Sequence, residues 1–193
     1  MPSGNAAAAL NLADDGPDAC FKAARTAFGG DTKIASLSSS FGIPENLQKF
    51  VVTSTPVGDL KSCSLQFQDP ENANKLLRAD MDVKTGEFKK PQPMELMVVG
   101  DAASFKLDNI VLPLSQIDTS KIAPVIDGQK AKLEDIFSSH ALTSVSLMGL
   151  SPGRDKHVVS IDFAGRLKSN DIIDTGGIGL TVDGGVEYNN IGN

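Results

Sequence analysis

Val158-Val159-Ser160-Ile161-Asp162-Phe163 is the stretch on which the fold turns. It alternates strictly: Val159, Ile161 and Phe163 fall on one side of an extended chain, and Val158, Ser160 and Asp162 on the other. That is the period-two pattern of a strand with one buried face. A polar loop carrying Pro152 precedes it, and before the loop Ser144-Val145-Ser146-Leu147 alternates in the same way. An earlier echo exists in Ser62-Cys63-Ser64-Leu65, a polar loop with Pro70, and Leu76-Leu77-Arg78-Ala79-Asp80-Met81-Asp82. Leu65 and Leu147 are as far apart as Pro70 and Pro152, and the two phrases close alike, on Gly86-Glu87-Phe88-Lys89 and Gly165-Arg166-Leu167-Lys168. Self-similarity of this kind signals an internal duplication.

Helical signals stand ahead of both strand groups. Asp14-Asp15-Gly16-Pro17-Asp18 opens the first, with an acidic cap and a proline in the first turn, and Gly29-Gly30 stops it. Between them Cys20, Ala23, Ala24, Ala27 and Phe28 form one apolar stripe. The second helical region begins at Ser115 and carries Ile122, Val125 and Ile126, then Leu133, Ile136 and Phe137 beyond Asp127-Gly128. Strand grammar predicts extended segments over 50–55, 60–67, 76–83, 94–99, 105–114, 142–150, 157–163 and 177–182, with a last one over 186–188. Ile34, Leu37 and Phe41 are left between a short irregular helix and a strand. The expectation is an α+β fold made by internal duplication of a helix followed by an antiparallel meander of three to four strands. The helices pack on one face of the sheet or sheets, and the other face is largely wet. A flexible N-terminal leader covers 1–13, the first repeat 14–112 and the second 113–193.

The chain of 193 residues carries 18 basic and 24 acidic side chains, for a net charge of −6. That balance offers no general attraction to phosphate backbones or anionic headgroups, which argues against nucleic acid as a partner. No window approaches the roughly 18 apolar residues of a spanning helix, and the opening lacks the basic and apolar regions of a signal peptide. The Ala-rich leader resembles the tether that follows the processing site of exported bacterial proteins and lipoproteins. It leaves open an N-terminal lipid anchor on the native precursor.

Chemistry-bearing patterns are few. Cys20 on the helix and Cys63 on a strand read as a helix-to-sheet disulfide, against the alternative of two buried free thiols; a disulfide would imply an oxidising compartment. His140 and His157 lie in different segments with no acidic or thiol residue at metal-ligand spacing, so neither a metal nor a cofactor is expected. No Gly-x-Ser-x-Gly elbow is present, and no catalytic residue is assigned. Gly176 to Gly185 departs from dinucleotide and calcium-binding spacings and reads as a Gly-flanked strand ending in an Asp-Gly hairpin. Asp80 and Asp82 alternate onto the wet face, away from any buried setting for acid–base work; Asp171 and Asp174 form the other carboxylate pair. Tryptophan is absent and Tyr188 is the single tyrosine, which leaves little for stacking sugars or bases. The loops over 68–74 and 151–156 occupy equivalent places in the two repeats. With Tyr188, they supply the candidate partner contacts Asp69, Glu71, Asn72, Arg154 and Asp155.

The strand-turn-strand phrases Met81-Asp82-Val83-Lys84-Thr85-Gly86-Glu87-Phe88 and Ile161-Asp162-Phe163-Ala164-Gly165-Arg166-Leu167 resemble the hairpins of PepSY modules. The helix-then-meander arrangement, taken twice, resembles the tandem α+β modules of the beta-lactamase-inhibitor-protein kind. The likeness spans residues 14–190 in architecture and only these phrases in sequence. It implies an extracytoplasmic, non-catalytic protein that binds or inhibits another protein with the open face or edge loops of its sheet, and it transfers no binding residue. The expected function is therefore an exported protein-binding or inhibitor-like module of the periplasm, cell envelope or surface, with an unidentified protein partner. A hydrolase with a Ser/His site at the repeat interface is the alternative from another class. A structural envelope component that pairs through a sheet edge is the third.

Overall fold

The computed structural model describes residues 9–48, 55–96, 103–150 and 154–192. Its first element is α1 (Ala19–Phe28), which presents Cys20, Phe21 and Ala24 as a fully buried stripe. Asp18 stands at the N-cap position but directs its carboxylate to Lys22, at 2.9 Å, rather than to a backbone N–H. Gly29, at φ +87°, ends the helix, a backbone conformation that residues with a β-carbon resist. The chain then enters β1 (Lys33–Phe41), β2 (Leu60–Asp69), β3 (Asn72–Asp82), β4 (Glu87–Phe88) and β5 (Gln92–Met94). A 3-10 turn at Leu107–Asn109 and the two-residue β6 (Leu112–Pro113) lead to α2 (Ile122–Ile136), followed by β7 (Phe137–Met148), β8 (Val158–Leu167), β9 (Ile173–Leu180) and β10 (Val186–Asn189).

Among the described residues these strands form one ten-stranded antiparallel sheet in the order β10-β9-β8-β7-β1-β2-β3-β4, with β5 on β3 and β6 on β1. β1 is its centre. Leu37 faces Leu65 of β2 on one side and Leu147 of β7 on the other, and the row continues outward to Ala79 and to Val159 and Leu180. A second inward row runs Cys63, Ser39, Val145, Ile161, Ile178. Both rows join α1, α2 and the 114–117 segment in a single core. Each fully buried leucine or isoleucine there contributes about 1.5–3 kcal/mol relative to exposure. Ser39, the polar member, donates its hydroxyl to the Val145 carbonyl at 2.6 Å and so leaves no unpaired group inside.

The expected duplication of a helix plus a three- to four-stranded meander is corrected by this topology: the molecule is one large antiparallel sheet with two helices. The echo in sequence pairs Ser62–Leu65 with Ser144–Leu147, yet these segments belong to β2 and β7, the strands on either side of β1. One is the second strand after its helix and the other the first, so they are not equivalent. Ser-x-Ser-Leu alternation is what any strand with one buried and one hydroxyl-bearing face must show, and two such strands look alike without a common ancestor. Three further expectations shift. The undecided Ile34–Phe41 segment is the central strand. The segment 105–114 is extended only at its end. The second helix runs unbroken through Asp127-Gly128, where Gly128 is exposed and its missing side chain meets nothing. The strand expected over 50–55 falls, up to residue 54, outside the described residues, as does the 97–99 part of 94–99.

Two ties fix the helical layer. Cys20 and Cys63 are joined by a disulfide, Cα to Cα 5.7 Å, which links α1 to β2 and closes a 43-residue separation; a loop of that length corresponds to about 4 kcal/mol on the chain-entropy estimate. Arg25, on the same helix, donates to the carbonyls of Ile117 (2.5 Å) and Leu114 (3.2 Å) and to Thr119 Oγ1 (3.1 Å). The segment leading into α2 is thus held against α1.

Candidate binding site on the open sheet face

The residues that alternate with the core rows build the opposite face. One row crosses seven strands: Asp80, Ser64, Ser38, Ser146, Ser160, Gly179 and Tyr188 are successive cross-strand neighbours. At about 4.8 Å per strand it spans roughly 29 Å. Beside it runs Ser62, Ser40, Ser144, Asp162 and Gly177. Neighbouring hydroxyls bond laterally, Ser38 to Ser64 at 3.0 Å and Ser40 to Ser62 at 2.6 Å. Serine adds little apolar packing to a sheet compared with threonine or valine, so these rows leave a low, polar surface.

Both ends of this face are covered. Where β1 begins, Leu107 packs on Ala35 and Leu76, with Phe105, Ile110, Val111 and Met94 around them. Asp108 reaches from this cover to Lys33 at 2.7 Å and to Gln68 at 3.2 Å. The hydrogen bonds from these two side chains, the ammonium first, hold its carboxyl below the ordinary range. His157 donates a ring N–H to the Ile110 carbonyl at 3.1 Å, and burial pushes its pKa down. Where β1 ends, a 3-10 turn at Glu45–Leu47 lies against β7 and β8. Asn46 there donates to Ser139 Oγ at 3.3 Å and accepts from Arg166 Nε at 2.7 Å. The serine rows occupy the floor between the two covers.

The polar density is highest on β7, β8 and β10. Asp162 accepts from Ser160 Oγ at Oδ1 (2.9 Å) and from Ser144 Oγ at Oδ2 (2.7 Å), while Thr143 Oγ1 donates to its backbone carbonyl at 2.9 Å. Tyr188 lays its ring over Gly179 and brings its hydroxyl within 3.1 Å of Ser160 Oγ. Asp162 and Tyr188 line a pocket of about 340 Å³ together with Thr143, Thr175, Gly177 and Asn190.

The candidate contacts expected from sequence divide into two places. Asp69, Glu71 and Asn72 form the β2–β3 turn, and Arg154 and Asp155 lie before β8, at the same end of the sheet because β2 and β7 both run antiparallel to β1. Residues 151–153 of that second loop lie outside the described residues. β6 and the 105–111 cover stand between the two groups. Their polar atoms are partly spent locally: Asp69 accepts from the Glu71 N–H at 2.9 Å, and Arg154 donates to the Gly149 carbonyl at 3.2 Å. Tyr188 is elsewhere, in the serine row. The site residues missed by sequence reasoning are Ser38, Ser146, Ser160 and Asp162, whose signal was the Ser-x-Ser spacing within β1 and β7 and the Ser-x-Asp spacing within β8.

No serine of these rows is hydrogen-bonded to a histidine among the described residues. Among the same residues no group of three or more His, Cys, Asp or Glu side chains is placed to hold a metal ion, and no helix is long and apolar enough to cross a membrane. No family model matches the chain, and no curated protein and no solved structure matches it either.

Proposed function

We propose that the chain is a non-enzymatic, extracytoplasmic binding module that holds a protein partner on the open face of its sheet. The observation that carries this reading is the 29 Å polar floor bounded by two covering segments: it is wide enough for an extended segment to cross several strands and low enough for backbone-close contact. Its hydroxyls both donate and accept, the chemistry of adaptable contact surfaces. Ser38, Ser64, Ser40 and Ser62 bond laterally to one another and Ser144 and Ser160 share the Asp162 carboxylate, with no histidine bonded to any of them among the described residues, so no Ser–His pair supports a nucleophilic reading. The Cys20–Cys63 disulfide supports an oxidising compartment, whether periplasm, cell envelope or medium.

The test is retention of a partner from an envelope or secreted extract by the immobilised, unreduced protein. Ser38→Arg with Ser64→Arg places two long side chains on the middle of the floor, and Glu134→Arg on the exposed side of α2 serves as a charge control. The expected result is one saturable partner, kept by the control and lost by the double variant. A partner retained equally by both would move the binding surface off the open face.

A further inference from the structure

We infer that the pocket beside Asp162 binds an organic cation, an ammonium or a guanidinium group. The inference rests on the open face being the binding surface and names the chemistry it takes at its β8–β10 end. Two hydroxyl protons converge on the Asp162 carboxylate, and a third points to one of their donors. Ser144 and Ser160 each donate to one carboxylate oxygen. Because Ser160 has a single proton, and spends it there, the 3.1 Å contact with Tyr188 is made by the tyrosine proton. Thr143 spends its own proton on the Asp162 backbone carbonyl. What these groups turn toward an incoming molecule is therefore lone pairs.

The pocket is rich in acceptors and carries a carboxylate that forms no ion pair among the described residues. Asn190, whose Oδ1 accepts the Gly177 N–H, and Thr175 also line the pocket and carry donors, but around the carboxylate itself the complement is a group with donors and a positive charge, an ammonium or a guanidinium. Tyr188 lines the same pocket, and aromatic rings are common partners of such cations. The space is kept by glycine. A β-carbon on Gly177 would stand 2.7 Å from Asp162 Oδ1 and 2.9 Å from the Ile161 carbonyl, so only a residue without a side chain leaves the carboxylate where it is.

The cation can come from a free amine or from a lysine or arginine side chain of a partner, and one titration separates these. Backbone amide spectra of the intact, disulfide-bonded protein would be recorded with n-butylammonium, ethylguanidinium, n-butanol, butyrate and the pentapeptide Gly-Gly-Lys-Gly-Gly. The expected result is saturable movement of the Gly176, Gly177 and Tyr188 signals with both cations and none with n-butanol or butyrate. Tyr188→Phe, which removes one inward-donating hydroxyl and keeps the ring, is expected to weaken the cations several-fold, and Asp162→Asn to abolish them. Tighter binding of the pentapeptide than of n-butylammonium assigns the source to a partner side chain; the reverse order assigns it to a free amine. No saturable movement with either cation, equal movement with n-butanol, or undiminished binding by Tyr188→Phe or Asp162→Asn would overturn the inference. That failure is read at Gly176 and Gly177 with small probes, whereas failure of the open-face reading is read as a partner kept by the Ser38→Arg/Ser64→Arg variant.

Discussion

Gly179 and Tyr188 are matched by shape. They are cross-strand partners on β9 and β10, and the tyrosine ring fills the space in which a residue 179 side chain would stand. Laying an aromatic over a strand glycine covers backbone that would otherwise face water and recovers packing the glycine cannot supply. An alanine at 179 collides with the ring, while an alanine at 188 simply exposes the glycine. The two costs are therefore coupled: Gly179→Ala is expected to destabilise by about 1–3 kcal/mol in the parent, as overpacking does, and by well under half of that in a Tyr188→Ala background. Urea unfolding of the four proteins of this cycle measures the coupling, and additive costs would show that ring and glycine do not share space. The sequence pointed to Tyr188 because it is the single tyrosine, but it could not point to Gly179. The match depends on the register between β9 and β10, which is set by the turn at 181–185.

At the scale of elements, legibility followed how completely local chemistry determines each segment. The extent of α1 was readable because its apolar periodicity and terminal glycine agree, although Phe21 is buried where Ala27 was expected to be, Pro17 lies ahead of the first turn and Asp18 caps no backbone N–H. β1 was not, although it is the sheet's centre. A bulge between Ile34 and Ser36 breaks the alternation, both Ala35 and Ile34 are buried, and serines fill the open side. The 105–114 segment was misread for the opposite reason: Phe105, Leu107, Ile110 and Val111 look like a buried strand, yet they pack as a cap on the open face and mostly lack sheet partners. His157 joins this cap to the start of β8, and its titration tests the contact. In the unfolded chain a histidine protonates near pH 6.5; in the folded protein burial lowers that value, against the opposing pull of the Ile110 carbonyl. Between the two values the unfolded state binds the extra proton, so stability is full above about pH 6.5 and falls as the pH drops through the folded value. Urea midpoints are expected to decline as the pH drops below about 6.5, and His157→Gln is expected to flatten that decline. A decline of the same size in the variant would assign it to other groups.

For the whole molecule the question is whether the segments 14–112 and 113–193 are separable units. The inward rows cross the seam between β1 and β7 without a change of character: Leu37 lies between Leu65 and Leu147, and Ser39 between Cys63 and Val145. The segment at the expected boundary is itself stitched to the first half. Leu112 and Pro113 pair with β1, the Leu114 N–H donates to the Thr32 carbonyl at 3.0 Å, and the Ser115 N–H donates to Gly30 at 2.8 Å. Separating the halves would expose both flanks of the core rows and unpair one side of β1 along its middle, which leaves each part with an open edge and an incomplete core. The molecule should therefore unfold as one unit. With a single tyrosine and no tryptophan, the intrinsic fluorescence reports only the β9–β10 end of the sheet, whereas far-ultraviolet circular dichroism reports all of it. In urea, with the disulfide intact, the two signals are expected to change at one midpoint with one slope. A tyrosine transition at clearly lower urea would mean that the second half loosens before the first and that the β1–β7 seam is weaker than its continuous rows imply.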